Sequence, residues 1–463
     1  MMCSLSLLAS EPSQLLPARE QMAFTLGFHI ILVPFGVAFT FITMLANYRG
    51  IRRGDAEALL LAERWSKVAA VLFAVGAVSG TVLTFEMGLL WPGLMGRFGA
   101  AYGFPFTVEG IFFFLEAIFV AIYLYGWTRL PPWVHFWSGL PVVLAGVGGT
   151  FSVVAANSWM NTPGGIKMHD GRVTSVDMWQ VFFNRAFWYE AIHMLLAAYV
   201  VAGFTVASVY AIGMLRGRRN RYHRVGWLLP LTVGAIAIPL QIVMGDFIAR
   251  YVFHNEPAKF AAIEALPHTR TQAPETLGGL IVNNKVHFGL PIPNGASLLS
   301  GFSPSTRVRG LDAIPAEVRP PDRLVSIVHL SFDLMVATAF ALAGLALWYL
   351  LSWWRSRLAR PNRWLLLATS VSGVVSIVSL ECGWVVTEVG RQPWTVVGLL
   401  LTSDAVQRQG NIWPLFTGAL VIYTGVAVGA WYALRAMRQR WARGENASAP
   451  YGPENDPKVA ESV

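Results

Sequence analysis

Charged side chains are scarce in this chain of 463 residues, because Asp, Glu, Lys and Arg together make up only 13% of it. An ordinary soluble domain carries about 25% charged residues, so this class of protein is excluded. Cysteine is scarcer still, with the two residues Cys3 and Cys382. They form no metal-ligand pair, and Cys382 lies in an apolar run, so cysteine says nothing firm about the redox compartment.

The sequence also lacks the patterns of a signal peptide, a soluble domain and an internal repeat. Residues 1 to 20 have no basic start and no convincing cleavage site, so we expect no removable signal peptide. We find no stretch typical of a soluble domain and no obvious repeat. The chain is therefore predicted to form a single membrane domain over residues 1–463.

Hydrophobic residues are abundant, at 55% of the chain with a mean hydropathy of +0.50. A helix needs roughly 20 apolar residues to cross the hydrocarbon core, and about nine such runs are present. The fold class is therefore predicted to be all-α, a polytopic membrane helical bundle with one long external loop. The predicted spans are 21 to 47, 67 to 90, 107 to 127, 134 to 157, 187 to 215, 225 to 249, 326 to 351, 364 to 386 and 412 to 434.

Arginines follow alternate predicted spans and set the predicted orientation. Basic loops stay in the cytoplasm, so the N-terminus is predicted outside and the C-terminus cytoplasmic. The net charge of +9 then reflects topology and anionic lipid, and we expect no nucleic-acid partner. The arginines concerned are Arg49, Arg52 and Arg53; Arg216, Arg218, Arg219, Arg221 and Arg224; Arg355, Arg357, Arg360 and Arg363; and Arg435, Arg438, Arg440 and Arg443.

Two segments lie outside the predicted spans. The longest break, 250 to 325, is rich in Pro, Gly and Asn and is placed outside by the orientation. A loop of this length is usually functional or mobile. The polar tail, 444 to 463, is predicted to be disordered and cytoplasmic.

Ionisable side chains inside the predicted spans are costly and typical of ion, proton or cofactor chemistry. Depth can be counted from the span ends at about 1.5 Å per residue, and it places every candidate toward the outer face. Structural side chains would scatter over both leaflets, so this co-location predicts one buried site near the outer surface. The candidates are His29, Glu109, Glu116, His193 and Glu388, together with Met335.

Each candidate also has a plainer interpretation. His193 and Met335 are a possible Met/His pair for a low-spin haem, yet Met335 alone would more often fill a gap in the core. His29 alone can equally be a histidine hydrogen-bonded between helices. Glu109 and Glu116 lie on one helix face about 10 Å apart and can form a proton relay. Alternatively, each neutralises a buried arginine or caps a haem contact.

Polar residues recur at helical spacing at the end of the eighth predicted span. Glu381, Trp384 and Glu388 share one helix face, and Arg391 follows one turn beyond Glu388. Pro393 opposes continuation of the helix. The sequence therefore predicts that this helix ends beside a cluster of two carboxylates, an aromatic ring and a guanidinium.

This stretch, Glu-Cys-Gly-Trp-Val-Val-Thr-Glu-Val-Gly-Arg-Gln-Pro-Trp from Glu381 to Trp394, closely resembles the signature of subunit I of the cytochrome bd family of quinol oxidases. The resemblance runs from about Arg19 to Trp431. It implies a subunit of the bacterial cytoplasmic membrane and the respiratory chain, which oxidises membrane quinol outside and reduces dioxygen to water with cytoplasmic protons. It also implies a second membrane subunit, subunit II, and allows for small accessory subunits.

The resemblance implies a set of haem ligands. His193 and Met335 match the ligands of a low-spin haem b. His29 and Glu388 match the ligands of two high-spin haems, of which one is a haem b and the other a haem d or a third haem b. Which of the two residues holds which high-spin haem is left open, as is the type of haem at the oxygen site.

It also implies residues that act beside the haems. Glu109 and Glu116 match carboxylates implicated in proton delivery and in the haem pocket. Trp384 and Arg391 belong to the signature itself, and for Trp384 interhelix packing competes with a role as a π system between haems.

Electrons would enter at a quinol site in the external loop. Lys259 and Glu264 stand in Lys-Phe-Ala-Ala-Ile-Glu, which resembles the family's quinol-oxidation element, and the modest loop length suggests the short-loop branch. Electrons would then pass to the haem on His193 and Met335 and on to the high-spin pair. Without the resemblance, a lysine and a glutamate in a loop are ordinarily solvated charges.

One position departs from the family. Asp333 stands two residues before Met335, where well-studied members have an arginine. An anion there should lower the haem potential or demand a compensating positive group.

The residue patterns leave two rivals. A proton-coupled transporter would use Glu109, Glu116 and Glu388, but it gives no reason for His193 with Met335. An electron-carrying cytochrome b without oxygen chemistry is the second rival.

Overall fold

The computed structural model describes residues 12–356, 361–444 and 451. Within these residues, nine helical segments are long and apolar enough to cross a membrane. This confirms the predicted all-α, polytopic bundle. Of the predicted tail, Gly444 and Tyr451 are described, and the other residues of 444 to 463 lie outside the described part.

Ten long helices make up the nine spans, because the first span contains two of them joined by a π-helical turn. The remaining elements are short helices and strands in the connections. The helices are α1 Leu15–Pro34, α2 Thr40–Arg53, α3 Ala56–Leu90, α4 Pro92–Tyr125, α5 Pro132–Asn161, α6 Met178–Phe182, α7 Phe187–Leu215, α8 Arg221–Asn255, α9 Pro257–Ile263, α10 Gly295–Gly301, α11 Asp322–Ser356, α12 Arg363–Val389, α13 Thr402–Ala405 and α14 Trp413–Ala442.

The strands form two-stranded antiparallel sheets, β1 with β2, β3 with β6, β4 with β5, and β7 with β8. The β4–β5 hairpin lies, in sequence, between β3 and β6. The strands are β1 Ile166–His169, β2 Arg172–Val176, β3 Glu275–Leu277, β4 Leu280–Val282, β5 Lys285–His287, β6 Leu290–Ile292, β7 Trp394–Val396 and β8 Leu400–Leu401, and a 3-10 turn spans Leu311–Ala313.

Proline sets the local geometry of several helices. Pro34 ends α1, and the π-helical turn Phe35–Phe39 follows directly. A proline removes one backbone donor and crowds the preceding turn, which favours such a local widening. Pro92 and Pro132 open α4 and α5, where a missing N–H costs nothing.

Several helices run past the predicted apolar spans, because charged pairs stabilise their outer turns. In α3, which begins eleven residues before position 67, Lys67 lies 2.7 Å from Glu63. In α8, Arg250 lies 2.7 Å from Asp246, so residues 250 to 255 are helical, although the sequence placed them in the external loop. Oppositely charged side chains four residues apart stabilise a helix, but an average of hydropathy does not detect them.

The bundle packs around α7, which lies against α8 and α12, while α4 packs on α5, and α11 packs on α12 and α8. The segment 256–321, between α8 and α11, carries α9, α10 and strands β3 to β6. A buried cluster that includes Phe260, Ile263, Val325 and Val328 attaches this segment to α11. The segment is therefore folded against the bundle.

Candidate functional site

A cavity of about 750 Å³ lies between the helices and gathers most of the predicted site residues. This volume falls within the roughly 300–1,000 Å³ of cofactor and ligand pockets. The cavity is lined by His29 of α1, Glu109 and Glu116 of α4, Trp384 and Glu388 of α12, and Arg391. His193 and Met335 are not among its lining residues.

His29 is oriented by a hydroxyl on the neighbouring helix. Its Nδ1 lies 2.9 Å from Oγ of Ser79, and this hydroxyl donates to the carbonyl of Gly76 at 3.1 Å. The Ser79 oxygen is therefore free to accept from Nδ1–H, which leaves Nε2 as the unprotonated ring nitrogen. A Cβ on Gly80 would lie 3.0 Å from the ring, so glycine keeps the space beside this histidine open.

Glu388 and Arg391 form an ion pair at the end of α12, in which Arg391 is buried and Glu388 is partly exposed. Arg391 Nη2 donates to Glu388 Oε2 at 2.5 Å, and Asn157 Nδ2 donates to Glu388 Oε1 at 2.6 Å. Arg391 is 6% exposed, and its Nε and Nη1 have no hydrogen-bond partner among the described residues. Two buried guanidinium donors are thus left for an anion at the cavity wall, since an unpaired buried donor is costly.

The two carboxylates of α4 lie along the same cavity. Glu109 and Glu116 both line it, and Oε1 of Glu116 faces backbone positions that carry no side chain. A Cβ on Gly36 would lie 3.8 Å from this oxygen, and a Cβ on Gly146 would lie 3.7 Å from it. Trp384 also faces the cavity and packs on the buried cluster that contains Phe187.

His193 of α7 faces α8, whereas Met335 of α11 faces α12. Gln241 Nε2 lies 3.2 Å from Nε2 of His193. A Cβ on Gly383 of α12 would lie 3.2 Å from the Met335 sulfur. Space beside the thioether therefore depends on this glycine.

Lys259, predicted for quinol, is buried in a polar network. Its Nζ pairs with the carboxylate of Glu256 and lies 3.3 Å from Oδ1 of Asn161. Asn161 Nδ2 in turn donates to Glu190 at 3.0 Å and, at 3.5 Å, to Oδ1 of Asn157, the residue that binds Glu388. A hydrogen-bond chain thus joins α9 to the end of α12.

Glu264, the other predicted quinol residue, has different neighbours. It is 5% exposed, and its Oε2 is buried without a hydrogen-bond partner among the described residues. Burial and the neighbouring carboxylates of Glu275 and Asp333 raise the pKa of Glu264 well above its usual range. Lys259 and Glu264 therefore face different partners from opposite parts of α9.

Asp333, the departure from the family, has a histidine one turn before it. Asp333 Oδ2 accepts from the backbone N–H of Gly278 at 2.5 Å and lies 3.6 Å from Nε2 of His329. Nδ1 and Nε2 of His329 lie 2.7 Å and 2.9 Å from the carbonyls of Ile263 and Gly278. Both ring nitrogens of His329 therefore face backbone carbonyls, close to Asp333.

Sequence reasoning missed several residues of these sites. Glu190 carried a signal, because it is an acidic residue inside an apolar run, three positions before His193. Ser79, Asn161 and Glu275 carried none, because their role depends on contacts between distant segments.

The donor set fits haem. Within residues 12–356, 361–444 and 451, no group of three or more His, Cys, Asp or Glu side chains converges as a metal site. Haem needs only axial ligands from the protein, and imidazole, thioether and carboxylate side chains are all present among the described helices. The unpaired donors of Arg391 fit a haem propionate.

Comparison with known proteins gives consistent matches over most of the chain. Residues 17–441 match the family model of cytochrome bd terminal oxidase subunit I. The chain is 33% identical to the putative cytochrome bd menaquinol oxidase subunit I of Bacillus subtilis (strain 168), over 90% of this chain and 95% of that protein. It is 28% identical to the cytochrome bd ubiquinol oxidase subunit 1 of the same strain, over 91% of each.

A solved structure is similar as well. The bd oxidase from Geobacillus thermodenitrificans superposes with a TM-score of 0.86 at 29% identity, covering 93% of this chain and 99% of that chain. The similarity thus extends over the whole bundle.

Proposed function

This chain belongs to the cytochrome bd terminal oxidase subunit I family, and we propose that it is the haem-bearing subunit, which oxidises membrane quinol and reduces dioxygen to water. The observation that carries the proposal is the cavity that brings His29, Glu109, Glu116 and Glu388 together beside the unpaired donors of Arg391. As a member of this family it is a multi-pass protein of a bacterial membrane.

In this proposal four side chains hold haem. His193 and Met335 hold a low-spin haem b, and His29 and Glu388 hold two high-spin haems, a haem b and either a haem d or a third haem b. Bound haem would supply one-electron redox chemistry and the place of oxygen reduction. Arg391 would bind a haem propionate through its two unpaired donors. Loss of this residue should therefore weaken haem binding and not the redox reaction of bound haem.

The protein's own groups orient these ligands and move protons. Ser79 fixes the ring of His29, and Asn157 fixes the carboxylate of Glu388. Such outer partners hold a ligand in its binding geometry. Glu109 and Glu116 would carry protons along α4 toward the cavity, because both side chains line it.

Quinol would be oxidised at α9, on the outer side of the membrane. Lys259 would position a quinol oxygen, and Glu264 would accept a proton, since a buried carboxyl with a raised pKa is a suitable base near neutral pH. The protons for water would come from the cytoplasm, with the N-terminus outside and the C-terminus inside. Charge would then separate across the membrane without a pump.

The proposal includes a partner. Subunit II would complete the complex within the lipid bilayer, with small accessory subunits as further partners. One relative is named as a menaquinol oxidase and another as a ubiquinol oxidase. We propose only the class, a membrane quinol.

A reduced-minus-oxidised absorption spectrum of membranes containing the complex tests the proposal. We expect both low-spin and high-spin haem bands, and consumption of oxygen when quinol is added. Absence of haem bands would favour the proton-coupled transporter. Low-spin bands alone, without oxygen consumption, would favour an electron-carrying cytochrome b.

A further inference from the structure

Helix α11 carries a row of polar side chains that the proposed function does not use. Their spacing of four, three and four residues places them on one face of the helix. Each of them contacts a backbone group of the segment 256–321. The row, called here the α11 stripe, consists of Asp322, Ser326, His329 and Asp333.

The first two residues of the α11 stripe hold the β4–β5 hairpin. Oδ2 of Asp322 accepts from the backbone N–H of Asn284, in the turn between the two strands, at 3.1 Å. Oγ of Ser326 accepts from the backbone N–H of Ile281 in β4 at 2.9 Å. Ile281 is itself buried, at 3% exposure, so polar and apolar contacts both attach this hairpin to the bundle.

The last two residues of the stripe hold the turn that follows β3. Asp333 accepts from the backbone N–H of Gly278, and Nε2 of His329 lies 2.9 Å from the carbonyl oxygen of the same glycine. Gly278 and Gly279 have φ angles of +65° and +96°, a conformation that favours glycine. Both polar backbone groups of Gly278 therefore face α11.

His329 also contacts the end of α9. Its Nδ1 lies 2.7 Å from the carbonyl oxygen of Ile263, the last residue of that helix. The chain leaves α9 in a tight turn, in which the N–H of Leu266 donates to the carbonyl of Ala261, and Ala265 has a φ of +45°. Such a turn uses the carbonyls two and three positions before the end of the helix and leaves the last one for another donor. His329 faces this last carbonyl.

The peptide group that His329 contacts joins Ile263 to Glu264, the proposed quinol base. An imidazole ring has at least one N–H, so His329 donates to at least one of the carbonyls of Ile263 and Gly278. Oε2 of Glu264 is buried without a hydrogen-bond partner among the described residues. The position of this carboxyl group therefore depends on the backbone that carries it.

We propose that His329 is a positioning residue of quinol oxidation, which holds Glu264 through the Ile263–Glu264 peptide group, while the rest of the α11 stripe fixes the neighbouring turn and hairpin. This inference rests on the proposed function. A misplaced base accepts a proton more slowly. Lys259 pairs with Glu256 and Asn161, away from the stripe, so quinol binding through Lys259 should be retained.

Substitutions of His329 in the full complex test the proposal. We expect His329→Leu, which has a similar volume but no donor, to lower kcat for quinol about tenfold and to leave KM within about twofold of the parent. His329→Asn places an amide N–H near the position of Nδ1 and should recover most of the loss. His329→Gln places it near Nε2, toward Gly278, and should recover less.

Two other positions calibrate the effect. Ser326→Ala removes a contact of the hairpin, farther along the stripe from Glu264, and should lower kcat only about twofold. The matched control is His287→Asn, at an exposed histidine of β5, which should equal the parent.

Two measurements separate positioning from a general structural role. Haem reduction by quinol without oxygen should slow about tenfold in His329→Leu, whereas haem spectra and reoxidation by oxygen should equal the parent's. Backbone amide hydrogen exchange should become faster in this variant at residues 264–266 and 278–281, because the stripe holds both stretches. The exchange measurement needs no quinol.

The variants can overturn the inference in two ways. Values of kcat and of haem reduction equal to the parent's in His329→Leu would overturn it and leave the proposed function standing. Equal losses in the Leu, Asn and Gln variants, or loss of haem, would show a general structural role and also overturn it. If the parent complex does not oxidise quinol, the proposed function fails and the inference with it, while hydrogen exchange still reports whether His329 holds the segment.

Discussion

The helix-lined cavity and the segment 256–321 hold their polar side chains in different ways. In the cavity, the polar side chains are held by side chains of neighbouring long helices, as when Asn157 of α5 donates to Glu388 of α12. At the segment, contacts involve turns and backbone groups, as when Asp333 of α11 accepts from the backbone N–H of Gly278, 55 residues earlier. Loss of a proposed haem ligand in the bundle should therefore remove a bound group, whereas a change in the segment should alter a rate and leave bound groups in place.

The largest effect is expected at His193 of α7 and Met335 of α11. His193→Ala, and likewise Met335→Leu, should abolish the low-spin haem signal and quinol oxidation, because each removes an axial ligand. The reduced-minus-oxidised spectrum measures this directly. His169→Ala, at a histidine whose side chain is 81% exposed, is the control and should change nothing. An unchanged low-spin spectrum in His193→Ala would refute the ligand assignment.

The next largest effect should separate the carboxylates of the cavity into a haem ligand and a proton carrier. Glu388→Gln should perturb high-spin haem binding itself, since Asn157 and Arg391 hold this carboxylate at the cavity wall. Glu116→Gln should instead slow turnover about 100-fold, because the amide cannot carry a proton. Some haem loss in Glu116→Gln is compatible with its place in the cavity.

Spectra and oxygen consumption of the two variants, recorded on the same preparations, give the comparison. A full parental high-spin spectrum with normal oxygen reduction in Glu388→Gln would mean that this residue is no ligand. The ligand and proton-transfer roles proposed for Glu388, Glu109 and Glu116 would then have to be reassigned.

The fold could be predicted from sequence because hydropathy sums over about 20 residues and tolerates local exceptions. All nine predicted spans correspond to helices of the structure. Helix ends could not be placed, because they depend on individual pairs such as Arg250 with Asp246. The hairpins of the segment 256–321 were not predicted either, since their strands are only three residues long.

Part of the site could also be predicted. His29, Glu109 and Glu388 could be assigned to a common depth because helix rise converts sequence position into height along the helix. Their partners could not, because Ser79 and Asn157 approach from other helices. Lys259 and Glu264 were expected to hold the same quinol and accept its proton, and the roles of both stay predictions.

A moderate effect is expected at α9. Lys259→Ala removes the ammonium proposed to donate to a quinol oxygen, and a charged hydrogen bond contributes about 2 kcal/mol, or roughly 30-fold in rate or binding. We therefore expect quinol oxidation to fall by about that factor with all haem bands retained. Lys285→Ala, at an exposed lysine of β5, is the control. Haem loss in Lys259→Ala would show that a change in the segment 256–321 can also release a cofactor, so cavity and segment would not differ in this respect.

The smallest effect is expected at Tyr451, a residue from outside the helices that touches neither site. Its hydroxyl donates to Asn47 Oδ1 at 2.8 Å and lies 2.9 Å from Nδ1 of His135, while its ring stacks on Trp127. Tyr451→Phe keeps the stacking and loses the hydroxyl, so the free energy of unfolding should fall by about 1 kcal/mol, with turnover and haem spectra unchanged.

Thermal unfolding of the purified complex measures this, with Tyr432→Phe, at a tyrosine that is 61% exposed, as the control. Tyr451→Ala should cost more than Tyr451→Phe, because the alanine variant also loses the stacked ring. If Tyr451→Phe slowed turnover instead, the contact with Asn47 and His135 would influence the reaction. A residue far from the cavity would then affect the reaction and not only the stability of the protein.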